Sequence, residues 1–276
     1  MAKRALSILL CFLAVLLMPG CGAAAAPAET GPESAFTVDI LSTGKSDCVI
    51  LRMDGLVVVC DTADADDYDA IDKKLRELGA ERIDCLILSH YDKDHIGSAA
   101  KLLQSFPVGT VLRPDYEESS VEYVLLLNAL AAGEAEDLVV REDWRLETEH
   151  GSILVDPPDK DYGDDNNSSL IVTVTYEDCR VLLMGDALKK RTEEFLAVAE
   201  ESYDLVKLPH HGDSNKALLR LLRAAPPLAA VETLSAGETV EADLLSLLSE
   251  LKIPLYSTLD GPVRAVWSDG ALTVTQ

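Results

Sequence analysis

Four candidate metal ligands fall within six residues in His90-Tyr91-Asp92-Lys93-Asp94-His95. Imidazoles and carboxylates at this spacing suit a divalent cation, and carboxylates this close repel one another unless a cation lies between them. A cation so held can polarise an ester and acidify water, so the chemistry on offer is metal-assisted hydrolysis. The chain has five histidines, and four of them form two clusters, His90/His95 and His210/His211. Asp61 and Asp186 add a carboxylate each, just past the apolar runs Leu56–Cys60 and Val181–Met184. A solvated acidic loop or a surface histidine pair is the alternative for any one piece taken singly. Their joint occurrence argues for a site.

The elements that would position these residues are legible as alternating strands and helices. Ile83–Leu88 reads as a buried strand that ends at the first cluster, and Asp204–Leu208 as one that ends at the second. Phe36–Leu41, Cys48–Met53 and Leu56–Cys60 precede them as strands, and Ser169–Tyr176 with Arg180–Met184 reads as a hairpin across Glu177-Asp178. Helices are predicted over 66–78, with Ile71, Leu75 and Leu78 on one face and Gly79 as its stop, and over 96–106, 121–132, 188–198, 216–222 and 242–251. The stretch 134–165 is acidic and less regular, with short apolar pieces at 138–140 and 153–155. Strand ends collected on one sheet edge can bring ligands distant in sequence together, as α/β folds commonly do.

The loop His90-x-Asp92-x-Asp94-His95, Asn166-Asn167-Ser168-Ser169-Leu170, Leu183-Met184-Gly185-Asp186, Pro209-His210-His211-Gly212 and Tyr256-Ser257-Thr258-Leu259-Asp260-Gly261 occur in that order. Together they resemble the metallo-β-lactamase-fold hydrolases, and among these the C-terminal domain of the competence protein ComEC and its stand-alone relatives. The resemblance spans about Phe36 to the C-terminus. It implies an αββα sandwich of two mixed sheets flanked by helices, with the site along one edge. It further implies two divalent ions, zinc or manganese. His90 and Asp92 would hold one, Asp94 and His95 the other, with Asp186 bridging and either His211 or His210 completing the second site. Asp94 and Asp186 would carry the catalysis, while Asp61, Asn166 and Asn167 would support the ligands from behind. Where the superfamily commonly has further histidines, Asp92 and the Asn166-Asn167 region stand here, and an oxygen-rich first site shifts preference toward manganese or magnesium.

Two departures concern nucleic acid. The resembling sequences follow His-His-Gly with Ser and a basic residue, whereas this chain has Asp213-Ser214-Asn215-Lys216, and Glu238 and Glu241 stand where a His-Pro is usual. The whole chain of 276 residues carries a formal charge of -24, which repels polyanions and argues against tight nucleic-acid binding. A phosphodiester or other ester of unidentified structure is the expected substrate. The alternative is a lipid-anchored binding or scaffold protein that keeps a metal site with little catalysis.

Residues 1–20 read as a signal segment, with basic Lys3-Arg4 ahead of the apolar run Ala5–Met18. That run is shorter than the roughly 20 residues a spanning helix needs. Met18-Pro19-Gly20-Cys21 resembles a lipoprotein signal with Cys21 as the lipidated residue, residues 21–35 read as a tether, and 36–276 form the domain. The expected location is extracytoplasmic and membrane-anchored, with plain secretion as the alternative. Of six cysteines, Cys48, Cys60, Cys85 and Cys179 lie in or beside apolar runs without zinc-site spacing and read as buried free thiols. One pairing, Cys48 with Cys60 across the Asp54-Gly55 turn, stays open.

Overall fold

The computed structural model describes residues 36–276; the signal segment, Cys21 and the tether lie outside them. Two sheets stack face to face. The first contains β1 (Phe36–Ile40), β2 (Val49–Met53), β3 (Leu56–Cys60), β4 (Ile83–Ile87), β5 (Val108–Pro114), β6 (Glu136–Val140), β14 (Val263–Ser268) and β15 (Ala271–Thr275), in the order β15-β14-β1-β2-β3-β4-β5-β6. The second contains β7 (Trp144–Glu147), β8 (Gly151–Asp156), β9 (Ile171–Tyr176), β10 (Cys179–Leu183), β11 (Leu205–Lys207), β12 (Ala229–Glu232) and β13 (Leu255–Ser257), in the order β13-β12-β11-β10-β9-β8-β7. Both are mixed: β3 to β6 and β10 to β13 run parallel, while the remaining neighbours are antiparallel.

Side-chain alternation along the strands sorts the apolar residues into three layers. Val38, Leu51, Val58 and Ile87 from the first sheet meet Val172, Val181, Leu205 and Val231 from the second. The opposite face of the first sheet, with Ile50, Val59 and Leu86, is covered by α1 (Tyr68–Glu77), α2 (Lys93–Ile96), α3 (Ala99–Ser105) and α4 (Val121–Ala132). Leu182, Val206 and Ala230 on the outer face of the second lie under α5 (Lys189–Phe195), α6 (Lys216–Ala224) and α7 (Ala242–Leu251). The architecture is the αββα sandwich expected from the motifs. In α1 the stripe Ile71, Leu75 and Leu78 is buried as its spacing requires.

Three readings change. The stretch 134–165 is more regular than its composition suggests, because it supplies β6, β7 and β8. β6 and β7 are edge strands with one side in solvent, so polar residues alternate with Leu138, Trp144 and Leu146 that pack inward. The helix expected over 96–106 is confined to α3, and a separate turn, α2, ends at Ile96 just before it. Gly97, at the break, lies against the loop before α1, where a Cβ would meet Ala65 N at 2.4 Å. The four described cysteines are free and buried. Cys48 belongs to the outer apolar layer and Cys60 to the layer between the sheets, so strand geometry holds them on opposite faces. No helix among the described residues is long and apolar enough to cross a membrane.

Candidate metal centre

The C-terminal ends of β3, β4, β10, β11 and β12 open toward one edge of the sandwich. Asp61 follows β3 with φ 59° and its N–H bonded to Ile87 O at 2.9 Å. The loop after β4 is pinned by Tyr91, which packs against Tyr116 and Tyr123 with ring centroids 4.6 Å apart and donates its hydroxyl to Pro114 O at 2.9 Å. Asp92 then begins α2, its carbonyl accepting His95 N–H at 2.9 Å and Ile96 N–H at 3.0 Å, so Asp94 and His95 are presented on a single helical turn. Gly185 precedes Asp186 at φ 51° with no room for a side chain, since a Cβ would lie 2.7 Å from Ser89 Cβ. In the turn after β11, His210 (φ 46°) and His211 (φ 58°) are both left-handed. Such conformations cost about 1–3 kcal/mol each outside glycine and cluster at functional sites.

These loops converge on Asp186, which is 2% exposed. Its Oδ1 lies 3.2 Å from His95 Nε2, and its Oδ2 lies 3.2 Å from His211 Nε2 and 3.9 Å from His90 Nε2. Asp92 Oδ2 stands 3.5 Å from His90 Nε2, and Asp94 Oδ2 3.5 Å from His211 Nε2. His210 is less buried, 24% exposed in its side chain, with Nε2 4.0 Å from Asp186 Oδ2, about as far as His90 Nε2, and Nδ1 in an ion-pair contact with Asp213. Of the two neighbouring histidines, His211 is the more buried and lies closer to Asp186, at 3.2 Å.

Behind the cluster, Asp61 accepts Ser89 N–H and Ser89 Oγ–H, both at 2.7 Å, and sits 2.8 Å from His95 Nδ1. That contact fixes the ring so that Nε2 points inward. Asn167 is placed elsewhere: its Oδ1 accepts the backbone N–H of Arg191 at 3.1 Å, at the start of α5. Asn166 opens the preceding turn, where its carbonyl accepts Ser169 N–H at 3.2 Å. Ser169 supports the site instead, taking Asp186 N–H on Oγ at 3.2 Å, while buried Arg191 holds Ser169 O at 3.0 Å and pairs with Asp156 and Glu194.

Asp47 was not singled out by any motif, since Gly44-Lys45-Ser46-Asp47 reads as a loop. It nevertheless joins His95, Asp186 and His211 in a buried group whose nearest donor atoms all lie within 4.8 Å of one another. The signal available was a carboxylate immediately before the strand that pairs with β1 and β3.

The donors fit a cation. Nε2 of His90, Nε2 of His95 and Oδ1 of Asp186 are buried and make no hydrogen bond, the last two facing each other at 3.2 Å, an arrangement that a shared cation would satisfy. The electrostatics agree. Burial opposes charge on His95, yet the carboxylates of Asp186 and Asp61 hold its proton affinity well above the ordinary histidine range. Burial likewise disfavours the His211 imidazolium, but Asp186, Asp47 and Asp94 push it up to about 10. Burial works against ionised Asp186, and the surrounding histidines keep it ionised well below the usual carboxylate range.

The profile of the Metallo-beta-lactamase superfamily matches residues 41–232, which carry every residue of this cluster. The chain belongs to the metallo-beta-lactamase superfamily. The metallo-beta-lactamase fold protein YhfI of Bacillus subtilis superposes with a TM-score of 0.56 at 14% identity, over 85% of this chain and 99% of that one. A mutant of CmlA beta-hydroxylase gives 0.55 at 16% identity, over 86% of this chain and 54% of its own. At these identities the likeness is one of fold. In sequence, ComE operon protein 3 of Bacillus subtilis is 28% identical over 162 residues, 58% of this chain and 21% of that protein. Recombination protein 2 of Haemophilus influenzae is 27% identical over 175 residues, 63% of this chain and 19% of its length. The chain thus spans about a fifth of the length of these curated relatives.

Proposed function

We propose that this metallo-beta-lactamase superfamily member is a metal-dependent hydrolase of a phosphodiester or other ester, working outside the cytoplasm on a lipid tether at Cys21. The observation that carries the catalytic reading is the trio of buried donor atoms that make no hydrogen bond, His90 Nε2, His95 Nε2 and Asp186 Oδ1, with Asp92 3.5 Å from His90 and Asp94 3.5 Å from His211 at the rim. His90, Asp92, Asp94, His95, Asp186 and His211 would hold the metal. A divalent ion bound there supplies Lewis acidity toward an ester oxygen and acidifies water. The chain's own residues do the rest. Asp61 and Ser89 keep the His95 ring oriented, and Asp186 reaches both histidine faces at once. Asp94, whose side chain is 25% exposed, lies with Oδ2 3.5 Å from His211 Nε2 on the solvent side of the cluster.

A cavity of about 230 Å³ is lined by Asp115, Tyr116, Arg141, Lys160, Asp161 and Ser168, with none of the proposed metal ligands in its wall. Arg141 there is already engaged by Asp115 through two 2.8 Å bonds, which leaves little cationic pull on a phosphate chain. The name of one curated relative connects it with recombination; the charge of -24 supports a different substrate here. Purified protein analysed for metal, then assayed with a phosphodiester and a carboxylic ester in manganese and in zinc, tests the proposal. Bound metal with turnover that a chelator abolishes is expected. Bound metal without turnover of any ester would move the protein to the anchored-scaffold reading.

A further inference from the structure

By distance alone Asp47 is a fourth ligand beside His95, Asp186 and His211. Its bonds say otherwise. Oδ2 accepts from the Lys207 ammonium, and Oδ1 accepts the Thr233 hydroxyl at 2.6 Å. Thr233 Oγ1 also lies 2.9 Å from His211 Nδ1, which is itself 3.4 Å from Asp47 Oδ1. Both oxygens of Asp47 therefore have donors, whereas Asp186 Oδ1 and the Nε2 atoms of His90 and His95 have none. Lys207 is equally committed. It is 2% exposed at the end of β11, with Leu208 O as a second acceptor at 3.1 Å.

We propose that Asp47 and Lys207 form a built-in ion pair that positions His211 through Thr233, and that Asp47 is not itself a metal ligand. The inference rests on the metal-site reading above. Thr233 has one hydroxyl proton and gives it to Asp47, so its oxygen is left to accept His211 Nδ1–H. That leaves His211 Nε2 directed at Asp186, 3.2 Å away, and Asp94, 3.5 Å away. His95 is held in the same manner by Asp61 at 2.8 Å. The ammonium takes the place a second cation would have against Asp47, and the metal is left to the donors that lack partners. The pair also joins the two sheets, since Asp47 precedes β2 in the first and Lys207 ends β11 in the second.

A positioning residue and a ligand differ in what their loss does: the former weakens metal binding by about 10- to 100-fold, the latter removes an ion. Zinc stoichiometry and affinity, by elemental analysis and chelator competition on the purified chain, read that difference without any substrate. Asp47→Ala is expected to keep the wild-type stoichiometry with affinity lowered by about 10- to 100-fold, while His211→Ala loses an ion. Lys207→Met should match Asp47→Ala, the double variant should bind no worse than the weaker single one because the two act through one contact, and Lys207→Arg should recover most of the affinity. Asp47→Ala losing an ion as His211→Ala does, with Lys207→Met binding like wild type, overturns the proposal. Should a single variant leave a buried charge that prevents folding, the double variant removes both charges and decides on the same stoichiometry. Wild-type protein that binds no zinc or manganese overturns the metal-site reading instead.

Discussion

Asp186 offers one oxygen to each of two histidines, and no other carboxylate of the cluster does so at 3.2 Å on both sides. Changing it to Ala removes an anionic donor from the centre and leaves Asp92 and Asp94 with fewer counter-charges. Asp186→Ala is therefore expected to lose most bound metal and all hydrolysis, whereas Asp92→Ala, which faces only His90, should lose the smaller share. Metal analysis of the two variants side by side decides; near-normal and equal occupancy would show that these are not the ligands. Proton competition gives a second expectation. In the metal-free protein His95 is held protonated well above its ordinary range and His211 up to about 10, so both carry protons at neutral pH. A metal must expel them, and protons win as pH falls. Apparent affinity should thus rise with pH by roughly tenfold per unit for each proton released. Zinc competition at about pH 6.5 and about pH 8.5 measures it, and a flat profile would contradict the assignment.

Strand ends do the positioning, and the tight backbone at β10 shows how little slack they have. Gly185→Ala would set a Cβ 2.7 Å from Ser89 Cβ at a φ of 51°, so stability should drop by about 1–3 kcal/mol and Asp186 should shift with it. Urea denaturation together with metal content checks this, and an unchanged midpoint would mean that Ser89 gives way freely. The same elements explain what could be read from the chain beforehand. Ligands that directly follow a long apolar strand, such as His90 after Leu88 and Asp186 after Met184, are announced by the strand. Asp47 is not, because it precedes its strand and its role depends on Lys207, 160 residues away. Asn166 and Asn167 mislead for a related reason: the turn before β9 sends the Asn167 carboxamide toward α5, a choice made by tertiary packing. β7 hides in polar composition because only Trp144 and Leu146 face the core.

For the molecule as a whole, charge and anchorage set the expectations. With -24 formal charges, duplex DNA should bind no more tightly than roughly the micromolar to 100-micromolar range of non-specific contacts. Fluorescence anisotropy across a salt series would show it, and tight salt-sensitive binding would contradict the reading. If Cys21 carries the lipid, Cys21→Ala should move the protein from the membrane fraction to the soluble one or stall its processing. Intact mass settles the matter, since a mature chain beginning elsewhere without lipid would rule the anchor out. The burial of Cys48, Cys60, Cys85 and Cys179 as free thiols bears on how the protein matures. Burial raises Cys48 and Cys60 well above the ordinary thiol range and Cys85 and Cys179 to about 12, so thiolate, the reactive form, is scarce. With Cys48 and Cys60 on opposite faces of the sheet, no disulfide ties the described residues together, and the melting temperature should be the same with and without a metal-sparing phosphine reductant. The described domain is thus expected to fold alike in reducing and in oxidising solution.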